Sequence, residues 1–76
     1  MESNKTQVIL YFYDVLINGK AIEKEPLKLK FRLSEATFIR YIAEIRSFLV
    51  EHHPELELHF KKSDNRYEIQ TVTIRF

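Results

Sequence analysis

The side chains most capable of chemistry in this chain are its three histidines. His52 and His53 are adjacent, and His59 follows six residues later. Neighbouring residues on a helix point about 100° apart, so the adjacent pair cannot converge on one metal ion while the backbone stays regular. A histidine at the end of a helix is also favoured by the helix dipole. The histidines therefore predict a solvated helix end and no metal site.

The acids that could share a catalytic site are Asp14, Glu23 and Glu25. No serine or threonine lies in a nucleophile-elbow context, and a single glycine excludes the glycine-rich loops that hold phosphates. An enzyme also needs a concave pocket, which one helix on a small sheet hardly offers. We therefore expect no catalysis and no cofactor, with an enzyme or metal site as a distant alternative.

The composition is typical of one small soluble domain. The chain has 76 residues, which we assign to a single domain over residues 1–76 with a flexible N-terminus at 1–6. A formal net charge of +1 argues against an undirected polyanion binder, which usually carries a large basic excess. There is no cysteine, no recognisable signal peptide and no apolar run near the roughly 20 residues of a membrane helix. We therefore expect a cytoplasmic protein without membrane contact.

Hydrophobic patterning predicts a β-hairpin in the first half of the chain. Residues 7–17, QVILYFYDVLI, are β-branched or aromatic at most positions, which is typical of a central strand covered on both faces. Asn18-Gly19 is the strongest short-range signal for a two-residue hairpin turn. Residues 20–33 then form a second strand whose LKLKFRL half alternates. Pro26 cannot donate to a sheet ladder, so it places this strand at an edge or at a bulge.

The second half of the chain predicts one amphipathic helix and a second hairpin. Ser34 is a good N-cap for the segment SEATFIRYIAEIRSFLVEHH, and Pro54 ends the helix near His53. The segments ELELHFKK and YEIQTVTIRF are predicted to be the last two strands. The residues predicted to face inward on the helix and the final strand are Phe38, Ile42, Ile45, Leu49, Val72, Ile74 and Phe76.

This element order predicts an α+β fold of the ββαββ type. The four strands would form a mixed sheet of order 2-1-4-3 with the helix packed across one face, because a right-handed crossover then joins the two hairpins. A plain antiparallel meander is the alternative. The element order, and locally YDVLINGKAI at residues 13–22, resemble the β-grasp immunoglobulin-binding domains of protein G and protein L type. The resemblance implies the fold, whereas the sequence shows no contact motif for antibody binding.

The register of the predicted first hairpin raises a conflict. A two-residue turn places Asp14 opposite Glu23 and Phe12 opposite Glu25, and like charges opposed across a ladder are destabilising. The first strand would be roughly 36 Å long and the helix only roughly 28 Å. The hairpin tip, residues 14–25, should therefore overhang the helix, with a bulge at Pro26 as the alternative.

An overhanging apolar tip predicts a partner, because isolated two-stranded ribbons are marginal in water. Polar loops folded over the tip are the alternative. Our preferred function is a non-catalytic protein-binding module, an adaptor or inhibitor, whose partner is another protein or a second copy in a homodimer. The alternative is single-stranded nucleic-acid binding on an aromatic and basic open sheet face. The predicted contact residues are Tyr11, Tyr13, Val15, Ile17, Ile22, Lys24, Lys28, Lys30, Arg32 and Arg75.

Overall fold

A computed structural model describes residues 4–72, which form three helices and a three-stranded antiparallel sheet. The elements in chain order are α1 (Lys5–Ile17), β1 (Ile22–Glu23), α2 (Lys24–Phe31), α3 (Glu35–His52), β2 (Leu56–Lys61) and β3 (Arg66–Thr71). The sheet order is β1-β3-β2. The fold is therefore α+β, but the predicted four-stranded ββαββ sheet with one helix, and with it the β-grasp arrangement, is wrong.

The segment predicted as the first strand is helix α1. Asn4 caps its start, because the Asn4 side-chain oxygen accepts a hydrogen bond of 2.9 Å from the backbone N–H of Gln7. Val8, Phe12 and Leu16 recur every four residues and are buried on one side of the helix. The apolar run thus satisfies its backbone hydrogen bonds within the helix and still buries one stripe.

The Asn-Gly pair that predicted a hairpin turn ends helix α1. Gly19 has φ +80°, and its N–H donates to the carbonyl of Leu16 at 3.1 Å. The N–H of Lys20 donates to the carbonyl of Val15, also at 3.1 Å. This pattern is a Schellman-type helix end, which requires a positive φ just as a type I′ hairpin turn does. The same dipeptide therefore suits both structures.

The predicted second strand is divided between β1 and helix α2. Pro26 lies in the first turn of α2, where the missing N–H would have no helical partner in any case. Leu27 and Phe31, one turn apart, are partly buried, but Leu29 is 81% exposed. Because α1 is a helix, residues 24–31 have no neighbouring strand to complete their backbone hydrogen bonds, and a helix makes those bonds internally.

The expected conflict between opposed acids does not arise. Asp14 lies on α1, and Glu23 pairs with Arg66 across the antiparallel ladder between β1 and β3. The structure therefore contains neither an overhanging hairpin tip nor a bulged strand at Pro26, which is helical. Opposite charges now face each other where like charges were predicted.

The predicted helix and the pairing of the last two strands are confirmed, but the inward face predicted for the last strand is wrong, because Tyr67 is buried and Ile69 packs on the core. The Ser34 hydroxyl accepts from the Thr37 N–H at 3.1 Å, and α3 ends at His52. Strands β2 and β3 pair with Leu58 opposite Ile69, so the apolar residues share one face. Val72 follows β3 and is exposed, whereas Ile74 and Phe76, also predicted to face inward, lie outside the described residues.

The core lies between the sheet and helices α1 and α3. Its centre is aromatic, with the ring centroids of Phe12 and Phe38 5.4 Å apart and those of Phe38 and Tyr67 5.9 Å apart. The opposite face of the sheet is polar. The buried residues are Val8, Phe12, Leu16, Ile22, Phe38, Ile42, Ile45, Leu49, Leu58 and Tyr67.

Candidate docking site

The predicted contact residues do not share one surface. Of those predicted for the hairpin tip, Ile22 is fully buried in the core, so it cannot contact a partner, and Val15 is half-buried. Ile17 is exposed at the end of α1. Arg75 lies outside the described residues. The residues predicted for the hairpin tip therefore lie at the end of helix α1 and in the core strand β1.

Two of the predicted open-face lysines instead attach α2 to the start of α3. The ammonium groups of Lys24 and Lys28 both contact the Glu35 carboxylate, Lys28 at 2.7 Å, and Lys28 also lies 3.6 Å from Glu25. Hydrogen bonds from Lys24 and Lys28 hold the pKa of Glu35 below its ordinary value, and the hydrogen bond to Glu35 raises the pKa of Lys28. These lysines are therefore engaged within the molecule.

The aromatic and basic residues that stay together are Tyr11 and Lys30. The Lys30 ammonium lies 4.8 Å from the centre of the Tyr11 ring, which packs edge-on against Phe31 with centroids 5.3 Å apart. Arg32 is exposed at the end of α2. Among the residues described in β1, β2 and β3, the outer sheet face predicted for nucleic acid carries no tyrosine or phenylalanine. Its side chains are Glu23, Glu57, His59, Lys61, Arg66, Glu68, Gln70.

A concave apolar surface lies between α1 and α3, and we call it the α1–α3 groove. It has a volume of about 200 Å³ and is lined by Ile9, Leu10, Tyr13, Ile45 and Phe48. Tyr13 and Phe48 meet edge-on across it, with centroids 5.5 Å apart at 86°. Leu10 is 57% exposed and Phe48 44% exposed. The groove is therefore formed by apolar side chains that water still reaches.

The size of the groove suits one side chain. An apolar cavity of about 150 Å³ in another protein holds a benzene molecule, whereas small-molecule sites usually span roughly 300–1,000 Å³. A groove of about 200 Å³ thus accommodates one aromatic or branched aliphatic group. Of the described residues that line it, only Tyr13 carries a polar group, its phenol. These lining side chains therefore suit an apolar group.

Helix α1 creates the groove because it is apolar around most of its circumference. Its buried stripe is bordered by a second stripe that includes Ile9, Tyr13 and Ile17, four residues apart, with Leu10 beside it. A helix that is apolar all round is normally covered on all sides. Ile9 and Tyr13 pack partly against the core and line the groove with Ile45 and Phe48 of α3, whereas Leu10 and Ile17 stay 57% and 42% exposed.

Sequence reasoning missed Leu10, Ile9, Ile45 and Phe48 as site residues. The strand prediction places Ile9 on the open sheet face and Leu10 on the face toward the helix. The helix prediction places Ile45 and Phe48 on the core side. Two signals were available. Asn4 and Gln7 have the spacing of a helix capping box, and Val8, Phe12 and Leu16 have helical spacing. Both were outweighed by the strand-like composition of residues 7–17.

Comparison of the chain with known protein families, curated proteins and solved structures finds no match. The resemblance to protein G and protein L type domains therefore stays untested. Within residues 4–72, no group of three or more histidine or acidic side chains could hold a metal ion. Nor does the described part of the chain contain a helix long and apolar enough to cross a membrane.

Proposed function

We propose that this chain is a small, non-catalytic protein-binding module, an adaptor or inhibitor, that docks a partner through the α1–α3 groove. The observation that supports this is a set of exposed apolar side chains around an apolar depression. Leu10 and Phe48 form its rim, and Ile17 continues the apolar surface along α1. Contiguous exposed apolar surface of this kind marks interaction sites on soluble proteins.

The energy available at this surface is moderate. Fully burying a leucine, isoleucine or phenylalanine side chain is worth about 1.5–3 kcal/mol. Leu10, Phe48 and Ile17 are 57%, 44% and 42% exposed, so covering them completely yields roughly 2–4 kcal/mol. This is too little for tight association, since micromolar affinity requires about 8 kcal/mol. The partner must therefore insert an anchor side chain into the groove and contribute contacts around the rim.

The decisive experiment is affinity capture with the full chain and two leucine variants. Leu10→Lys puts a charge at the groove, and the matched control Leu29→Lys makes the same change at an 81% exposed position on α2. Both variants should keep their fold by circular dichroism, because neither leucine is in the core. Captured proteins are quantified from untreated and nuclease-treated lysate, and self-association is measured by sedimentation across concentration.

Groove-dependent docking predicts about a tenfold or larger loss of captured protein, or of self-association, for Leu10→Lys and little change for Leu29→Lys. Capture that disappears after nuclease treatment would instead favour nucleic acid, whose remaining candidate contacts are Tyr11, Lys30 and Arg32. The proposal is refuted if Leu10→Lys matches the unmodified chain in every capture and sedimentation measurement.

A further inference from the structure

The charges around the α1–α3 groove indicate what kind of protein it binds, provided that the proposed function holds. On α3, Glu44 and Glu51 lie about one turn before and after Phe48, at i−4 and i+3, so they flank its exposed ring. On α1, Asp14 lies one turn from both Leu10 and Ile17. All three acids are exposed. The apolar surface is therefore bordered by carboxylates on both helices.

Few positive groups offset these acids. Lys5 is 3.3 Å from Glu44 and is thus already paired with it, while within residues 4–72 no ion pair within 4.0 Å involves Asp14 or Glu51. Arg40 lies one turn before Glu44 and so offsets that acid as well, but it is eleven residues, about 16 Å along the axis, from Glu51, which exceeds the screening length of about 8 Å at physiological salt. The rim of the groove therefore keeps a negative character.

The helix dipoles act in the same direction. Tyr13 and Phe48, which meet across the groove, lie four residues before the last residues of α1 and α3. The C-terminal end of a helix carries a partial negative charge. The last turn of α1 contains no basic residue, and that of α3 contains only His52, whose ring stacks on Phe48 with centroids 4.6 Å apart. Two negative helix ends thus lie beside the acidic rim.

We infer that the occupant of the α1–α3 groove is an amphipathic helix of another protein, with an apolar anchor flanked by lysine or arginine. A helix laid into an apolar groove presents anchors at i, i+3, i+4 and i+7, and its flanking positions then meet the rim. Cationic flanks complement Asp14 and Glu51, which sets both the association rate and the choice of partner. A two-fold homodimer through this groove would instead bring the same acids together from both copies.

The test uses two synthetic helical peptides of about 18 residues that share a leucine face and differ only in their flanking residues, lysine in one and glutamate in the other. Binding to the full chain is measured by fluorescence anisotropy at about 50 mM and about 300 mM salt. The lysine peptide should bind at least about tenfold more tightly at low salt, and the preference should shrink at high salt.

A charge-reversed pair of variants assigns the preference to the groove. Asp14→Lys combined with Glu51→Lys should abolish the preference for the lysine peptide. Glu57→Lys combined with Glu68→Lys changes the net charge equally on the outer sheet face and should preserve it. The inference is overturned if the two peptides bind alike, if neither binds, or if both double variants have the same effect.

The same peptides separate this inference from the function on which it rests. If Leu10→Lys weakens both peptides equally and reversing Asp14 and Glu51 changes nothing, the groove binds helices but does not select basic ones. If Leu10→Lys affects neither the peptides nor capture from lysate, the proposed docking site itself is wrong.

Discussion

The substitutions Leu16→Ala and Leu10→Ala should have very different effects on the free energy of unfolding. The two leucines lie on the same helix and undergo the same chemical change. Leu16 is 1% exposed and belongs to the core, whereas Leu10 is 57% exposed at the groove. A strand over residues 7–17 would place both on one face, because positions 10 and 16 have the same parity. A helix separates them by about 120° around its axis.

The magnitudes follow from burial. Removing a buried leucine side chain costs about 2–5 kcal/mol, from a total stability of roughly 4–11 kcal/mol for a domain of this size. Leu10 is less than half buried, so Leu10→Ala gives up less than half of the about 1.5–3 kcal/mol for burying a leucine. Alanine also has a slightly higher helix propensity, so we expect the free energy of unfolding to fall by less than about 1 kcal/mol. One kcal/mol corresponds to about 4–8 °C in Tm at this length.

Urea unfolding followed by far-UV circular dichroism measures both losses. The slopes against urea should agree with that of the unmodified chain, so that midpoint shifts report stability alone. If Leu16→Ala is too unstable to analyse, Leu16→Met conserves the volume and should cost below about 1.5 kcal/mol. Equal losses at the two leucines, or a larger loss at Leu10, would refute the helical assignment of residues 5–17.

Four further predictions concern the helix ends. Asn4→Ala should destabilise the chain by about 1 kcal/mol and Asn4→Asp much less, as urea midpoints will show, because only alanine loses the cap. Gly19→Ala should lower the free energy of unfolding by about 1 kcal/mol, because Gly19 has φ +80°, even though no atom would crowd the new Cβ. Arg32→Gly should raise the free energy of unfolding by up to about 1 kcal/mol, because Arg32 has φ +54°. Because the pKa of Glu35 is lowered in the folded state, its carboxylate contributes stability that is present above the unfolded pKa and is lost as the pH falls through the folded pKa. In acid, the unfolding midpoint of Glu35→Gln should therefore depend less on pH than that of the unmodified chain.

Some parts of this fold follow from local sequence and others do not. Ser34, Pro54 and a strict helical stripe predict α3 correctly, and alternation predicts the hairpin of β2 and β3. These segments succeed because their periodicity, end signals and composition agree. The strand prediction for residues 7–17 is wrong because two signals conflict there. Their β-branched and aromatic side chains favour a strand, whereas the four-residue spacing of the buried ones and the cap at Asn4 favour a helix.

The candidate site depended on resolving that conflict. Tyr13 and Ile17 are predicted on a sheet face and a hairpin tip but lie on helix α1, whereas Leu10 and Phe48, predicted to face the core, are exposed. Lys24 and Lys28 were assigned to an open face, but a helix turns both of them toward Glu35. Once a segment changes from a period of 2 to a period of 3.6, each side chain changes its neighbours.

The sequence alone determined a small α+β chain with little net charge, its central helix and its final hairpin, because each of these depends on contacts within a short segment or on composition. The tertiary structure decided the remainder. Phe12 and Leu16 become fully buried only when residues 5–17 form a helix that packs against α3 and the sheet. This packing outweighs the strand propensity of the segment. The α1–α3 groove exists because one apolar helix has more apolar surface than the core of this small domain covers.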